Sequence, residues 1–322
     1  MGSRFQETPL TRSSYTAGHF ELDIDGHKST AFVKSIDGGF VRGSVADDPI
    51  ASGNDRVKHI TTVDIEPISL EFGMTGANDV LKWIKGSWNK QWARRDGVIR
   101  HANFNLGQTY DHEFYQALIS ETTIPALDGA AKESGYIKCK IQPETVLTTV
   151  KKASTERIKG TMGTTAGGPT RQKLWTPSAF ALRIDGLDNM RYTNKIEAFT
   201  IKQGVKKVYT GEQRFPQIEP TKIEFPNITG TISLAYAEDL LDWHKKYVID
   251  GKKDHGTQRT GAIEFLSPDR SKTIFQINLF EVGIAFAGIQ QSTANQDQIK
   301  RVKFELFVHR MELDGEGGIG FD

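Results

Sequence analysis

Phe20, Leu22 and Ile24 alternate with Glu21, Asp23 and Asp25, a period of two that predicts a half-buried strand. Asp25-Gly26 supplies a chain reversal, because glycine tolerates positive φ, and Ala31-Phe32-Val33 resumes the alternation, so a β-hairpin is predicted. The same signal returns as Phe180, Leu182 and Ile184 running into Asp185-Gly186. Further on, Ile68 to Phe72 and Ile228 to Leu234 read as strands. Each is followed by a helical stripe: Val80, Leu81, Ile84 and Trp88 in one place, Leu240, Leu241, Trp243 and Tyr247 in the other. The stripe must pack on the sheet, which makes Trp83 and Trp243 core anchors rather than ligand platforms. Strand patterns close both series, from Phe114 to Ile119 and Tyr136 to Ile141, then from Ile274 to Phe286 and Val302 to Val308.

These landmarks repeat at one offset. His19 to Gly26 is echoed by Ala179 to Gly186, and Trp83 by Trp243, both 160 residues on; after the helix the offset becomes 164, as Val98-Ile99 against Ala262-Ile263. A period this large predicts two copies of one folding unit, which suits rings and assemblies better than a single cleft. The fold class expected is mainly β with a minor α contribution: two tandem β-barrel or sandwich domains, each with one packed helix. The predicted organisation is an N-terminal arm at 1–18, a first domain at 19–150, a linker at 151–174, a second domain at 175–314 and a tail at 315–322. Between Asp37 and Asp64, and again between Gln203 and Glu224, Gly and Pro residues with little apolar patterning predict long loops. In the second of these, Lys206-Lys207 stands where the first has Asp47-Asp48, so opposite charges would help set register if such loops met across subunits.

Composition narrows the function. The chain of 322 residues has 37% hydrophobic and 25% charged residues and a net charge of +1, the profile of a globular protein. No apolar run is long enough to cross a bilayer, and Met1 to Glu7 lacks the apolar region of a signal peptide, so folding in a cytoplasm without membrane insertion is expected. The basic excess sits in 151–174, with six Lys and Arg against one Glu, and neither repeat is basic as a nucleic-acid binder would be. The linker lacks the Gly-Lys-Ser or Gly-Lys-Thr of a phosphate-binding loop. Cys139 is the only cysteine and reads as a buried or interface strand residue. The eight histidines show no metal-ligand spacing, His112 and His244 read as surface or capping residues, and no nucleophile elbow is present. Asp23 and Asp25 read as a solvent-facing strand residue and a turn residue, since their counterparts are Arg183 and Asp185. No enzyme activity, cofactor or metal is expected. The residues singled out are structural: Asp25, Gly26, Trp83, Asp185, Gly186 and Trp243.

The order of signals resembles the tail tube protein family of contractile phages and related phage-like injection systems. The resemblance is carried by Phe180 to Gly186, Leu241-Asp242-Trp243, Thr260 to Leu266, Ile277 to Gly283 and Val302 to Leu306. In the first repeat Phe20 to Gly26, Trp83 and Arg95 to Ile99 match, and Phe114 to Ile141 fits loosely. The resemblance implies a small β-barrel with one helix, six such domains forming a ring around a channel, and rings stacked in a virion tail or tail-like particle. It implies partners of the same kind, as a trimeric pseudo-hexamer or a hexameric ring, with adjacent tube, sheath or baseplate proteins, and DNA or an effector only as passing cargo. A tandem β-barrel ligand- or carbohydrate-binding module is the alternative, which a stable monomer holding a small ligand would favour. An unrecognised hydrolase comes third and would require turnover.

Overall fold

The computed structural model describes residues 18–25, 32–49, 56–73, 77–103, 105–151, 157–158, 175–252, 257–290 and 299–315. Among the described residues the chain is mainly β, with two α-helices. The first series runs β1 (His19–Ile24), β2 (Phe32–Gly38), β3 (Val41–Pro49), β4 (Arg56–Ile65), β5 (Ile68–Gly73), α1 (Asn78–Trp88), β6 (Arg95–Ala102), β7 (Gln108–Ile124), β8 (Leu127–Asp128), β9 (Ile137–Gln142) and β10 (Thr145–Val150). The second runs β11 (Phe180–Ile184), β12 (Thr193–Ile196), β13 (Phe199–Val208), β14 (Gln217–Glu224), β15 (Ile228–Ser233), α2 (Glu238–His244), β16 (Arg259–Leu266), β17 (Thr273–Ile289) and β18 (Arg301–Asp314). A π-helical turn, Lys245–Ile249, extends α2.

Strand order is equivalent in the two series: β1-β6-β7-β9-β5-β2 in one sheet, β11-β16-β17-β18-β15-β12 in the other. All these pairings are antiparallel, and even their irregularities correspond. Gln116 in β7 and Glu281 in β17 both have positive φ, and a second register shift follows four residues later in each strand. A bulge bends a strand, so one β7 or β17 can turn from one face of a barrel to the next.

Two sequence expectations are corrected here. β1 and β2 do not form a hairpin. β1 pairs with β6 and β2 with β5, because the alternating face of each is buried by a strand far along the chain rather than by its neighbour. The predicted long loops are also strands. β3 pairs with β4 and β13 with β14, two long hairpins whose side chains are largely exposed, so no alternation marked them.

The cores are apolar and continuous. Leu22, Leu70, Phe72, Ile99 and Phe114 pack with α1 through Val80, Leu81, Trp83, Ile84 and Trp88, and Leu182, Ile263, Phe265, Ile277 and Phe304 pack with Leu240 and Trp243. Full burial of such side chains contributes roughly 1.5–3 kcal/mol each. Gly97 and Gly261 hold equivalent places on β6 and β16. A Cβ there would lie 2.5 Å from the Asp23 carbonyl oxygen or 2.4 Å from that of Arg183, so the close approach of the opening strand requires glycine.

Candidate assembly interface

The two series are joined edge to edge by strand pairing. Lys202, Ile201, Thr200 and Phe199 of β13 lie opposite Glu121, Thr122, Thr123 and Ile124 at the end of β7, so the second hairpin extends the first sheet. The Thr123 and Thr200 hydroxyls hydrogen-bond at 2.9 Å, and Lys202 opposes Glu121 across the strands. On the inner face Ile201 is 2% exposed and packs with Ile124 and Phe199. In return β8 of the first series pairs with β12, placing Leu127 against Ile196 and Asp128 against Lys195. The ladder hydrogen bonds and the buried apolar pairs act together, which is what stabilises a sheet joint.

Polar contacts flank this joint. Arg94, just before β6, donates to Glu144, to the Ile218 carbonyl oxygen and, at 3.1 Å, to Glu219, while the Ile218 N–H donates to Glu144 at 2.9 Å. At the end of α1, Lys85 pairs with Asp314 at 3.1 Å and Asn89 donates to Glu312 at 3.2 Å. Ser87 donates to Gln203, and Lys207 pairs with Asp64, which sets the hairpins β3–β4 and β13–β14 side by side. Within the chain Lys207 thus finds its acidic partner at Asp64, and Asp47 pairs with Arg56 of its own hairpin.

The sequence-selected residues fall into separate places. Trp83 is buried and its indole N–H donates to the Ala93 carbonyl oxygen at 2.9 Å. Trp243 is buried beneath the Arg259 guanidinium, 5.3 Å from its ring. Asp185 and Gly186 meet this same Arg259: its guanidinium donates to the Asp185 carbonyl oxygen, and Gly186 has φ +73° beside it. Asp25 lies apart in the first series, with φ +51°, paired to Arg95 and accepting from the Asp96 N–H at 3.2 Å. Gly26, nearly all of the arm 1–18, most of the 151–174 linker and the tail beyond 315 lie outside the described residues.

Two further readings are corrected. Asp23 is buried against Arg100 at 3.3 Å instead of facing solvent, in a cavity of about 910 Å³ lined also by Glu21, Asp25, Asp96 and Asp111. His112 is buried, stacked near Tyr110 and Phe40, and burial pushes its imidazole below the usual range, as it does for His101. Among the described residues no cluster of His, Cys, Asp or Glu is arranged to hold a metal. Cys139 is fully buried on β9, which pushes its thiol up to about 12.

The sequence reading missed the residues of the joint itself, notably Arg94, Glu121, Glu144 and Ile201. The one signal available was the alternation of Phe199 and Ile201 with Thr200 and Lys202, ahead of a hairpin with no apolar pattern of its own.

The two series are thus joined through a sheet edge, whose unpaired backbone groups would otherwise be a template for pairing with another strand. Residues 16–146 match the family described as T4-like virus tail tube protein gp19, so this part of the chain is of the tail tube type. Among solved structures, the chain is similar to one from the extended sheath–tube complex of the extracellular contractile injection system PVC, at 15% identity, covering 46% of this chain and 100% of that one, TM-score 0.39. It is also similar to the tube-terminating cap of the anti-feeding prophage, at 13% identity over 44% and 93% of the two chains, TM-score 0.37. Hcp1 from Flavobacterium johnsoniae is similar at 12% identity over 43% and 96%, TM-score 0.27. No curated protein matches the sequence.

Proposed function

We propose that this chain is a ring-forming structural component of a phage tail or phage-like contractile injection machine, in which three chains, each supplying two tube-type units at 19–150 and 175–314, close around a channel for DNA or an effector. The observation that carries this reading is the pairing of β13 with β7. It puts the two units side by side in one sheet, the relation of neighbours within a ring, which favours three chains in a pseudo-sixfold ring over six chains in two fused layers. Asp25, Asp185 and Gly186 turn the opening strands, and Trp83 and Trp243 anchor the helices. The partners are further copies, and adjacent tube, sheath or baseplate proteins; DNA or effector is cargo only.

Negative-stain class averages and sedimentation of the purified full chain test this. The expected result is a ring with six peripheral densities and the mass of three chains, forming with rising concentration. A monomer at every concentration overturns the proposal, and a six-chain double layer overturns its stoichiometry.

A further inference from the structure

The correspondence of the two series extends to the residues that make the internal joint, and it leaves one half of a second joint open at each end of the chain. β17 from Phe286 to Ile289 occupies the place of β7 from Glu121 to Ile124, after equivalent register shifts. It pairs with β18 on one side, and its other edge has no strand partner among the described residues. The hairpin β3–β4 occupies the place of β13–β14 and is a separate two-stranded sheet, bonded to no other strand among the described residues. Ile201 is buried by its joint, whereas its counterpart Val41 is 46% exposed. Likewise Phe286 is 47% and Ile289 61% exposed on the open edge.

Resting on the ring reading above, we infer that β3 of one chain pairs antiparallel with the free edge of β17 in the next, with Phe40 opposite Gly288, Val41 opposite Ala287 and Arg42 opposite Phe286. The register follows from the internal joint, in which Thr200, Ile201 and Lys202 oppose Thr123, Thr122 and Glu121. Each proposed pair is chemically complementary. Val41 covers Ala287 on the core side, an aromatic stands across from a glycine that offers no side chain of its own, and the Arg42 guanidinium meets the face of Phe286.

The flanks of the joint agree. In the internal joint Asn89 at the end of α1 reaches Glu312 on β18. The counterparts are Ile249 at the end of the π-helical turn, 69% exposed, and Leu147 on β10, 52% exposed. A polar contact inside the chain is matched by two apolar residues left open at its ends. Gln258 holds the place of Arg94, and its buried Oε1 has no hydrogen-bond partner. One contact does not carry over: the place of Lys207 and Asp64 is taken by Asp47 and Glu224, and each carboxylate is neutralised within its own hairpin, by Arg56 at 3.3 Å and Lys222 at 2.5 Å. Because the joint is head-to-tail, it generates a closed ring or an open helix rather than a dimer.

Cysteine cross-linking in the full chain tests the register, since Cys139 is fully buried and contributes no background. Arg42→Cys with Phe286→Cys places two exposed thiols directly opposite, and oxidation of assembled protein is expected to give covalent dimers and closed trimers on non-reducing gels. Arg42→Cys with Ile289→Cys, three residues out of register and on the other face, is expected to give none, because a disulfide requires Cα atoms within about 7 Å. Hydrogen exchange of the unsubstituted chain supplies a measurement independent of these variants: amides of 40–42 and 286–289 are expected to become protected together on assembly. Rings in the microscope without the Arg42–Phe286 cross-link, or with exchange unchanged in both segments, overturn this joint and leave the ring reading standing. Absence of rings altogether overturns both.

Discussion

Ile201 and Val41 occupy the same place in corresponding strands, and only the first has a neighbour across its edge. Truncating both therefore measures the neighbour. Ile201 is 2% exposed at the junction of the two series, packed in the shared core with Ile124 and Phe199. Ile201→Ala removes buried carbon from a site whose backbone is held on both sides by strands, so the gap closes poorly; the expected cost is about 2–4 kcal/mol. Val41 is 46% exposed in the lone chain, and Val41→Ala is expected to cost about 0.5 kcal/mol or less there. Urea unfolding followed by circular dichroism, at protein concentrations low enough to keep the chain monomeric, gives both values. When the pair is measured again on assembled protein, the Val41→Ala deficit is expected to rise toward that of Ile201→Ala. Equal effects in the monomer, or a cost below about 1 kcal/mol for Ile201→Ala, would refute the argument that the strand joint governs burial at this position.

Two other outcomes follow from local geometry and charge. Gly97→Ala brings a methyl group to 2.3 Å from the Phe114 ring and 2.5 Å from the Asp23 carbonyl oxygen, and is expected to destabilise the chain by about 1–3 kcal/mol; an unchanged melting temperature would contradict the packing of β1 on β6. His101 and His112 have imidazoles held below the ordinary value of 6.5 by burial, so the unfolded chain binds protons first as pH falls. Their contribution is complete above that value and is lost as pH drops through the lowered range, so the melting temperature is expected to fall between neutral and mildly acid pH, and to fall less in His112→Gln.

The parts of the fold that the sequence announced are those where burial alternates. Phe20, Leu22 and Ile24 reported a strand because one face is core, and Val80, Leu81, Ile84 and Trp88 reported a helix for the same reason. What stayed hidden was pairing between distant strands, since β1 meets β6 rather than β2 through backbone bonds that carry no residue code. The hairpins β3–β4 and β13–β14 were hidden for a different reason. Apart from residues such as Phe199, Ile201 and Ile218, most of their side chains are exposed or half-buried in the single chain, and Val41, Val45 and Ile60 show no periodic contrast with their neighbours. Asp23 was misjudged because its salt partner Arg100 comes from another strand, and a lone sequence cannot place the two together.

The covalent tie between the two series of strands has a consequence for how they are free to differ. A contact held within one polypeptide survives dilution that would dissociate the same contact between separate molecules. Differences on either side of it are therefore tolerated: where one series has Asp23 and Arg100, the other has Arg183 and Glu264, an ion pair inverted in sign at the equivalent place. In the ring proposed above, identical single-unit subunits would repeat every feature at every position around the axis, whereas the tandem chain would alternate them.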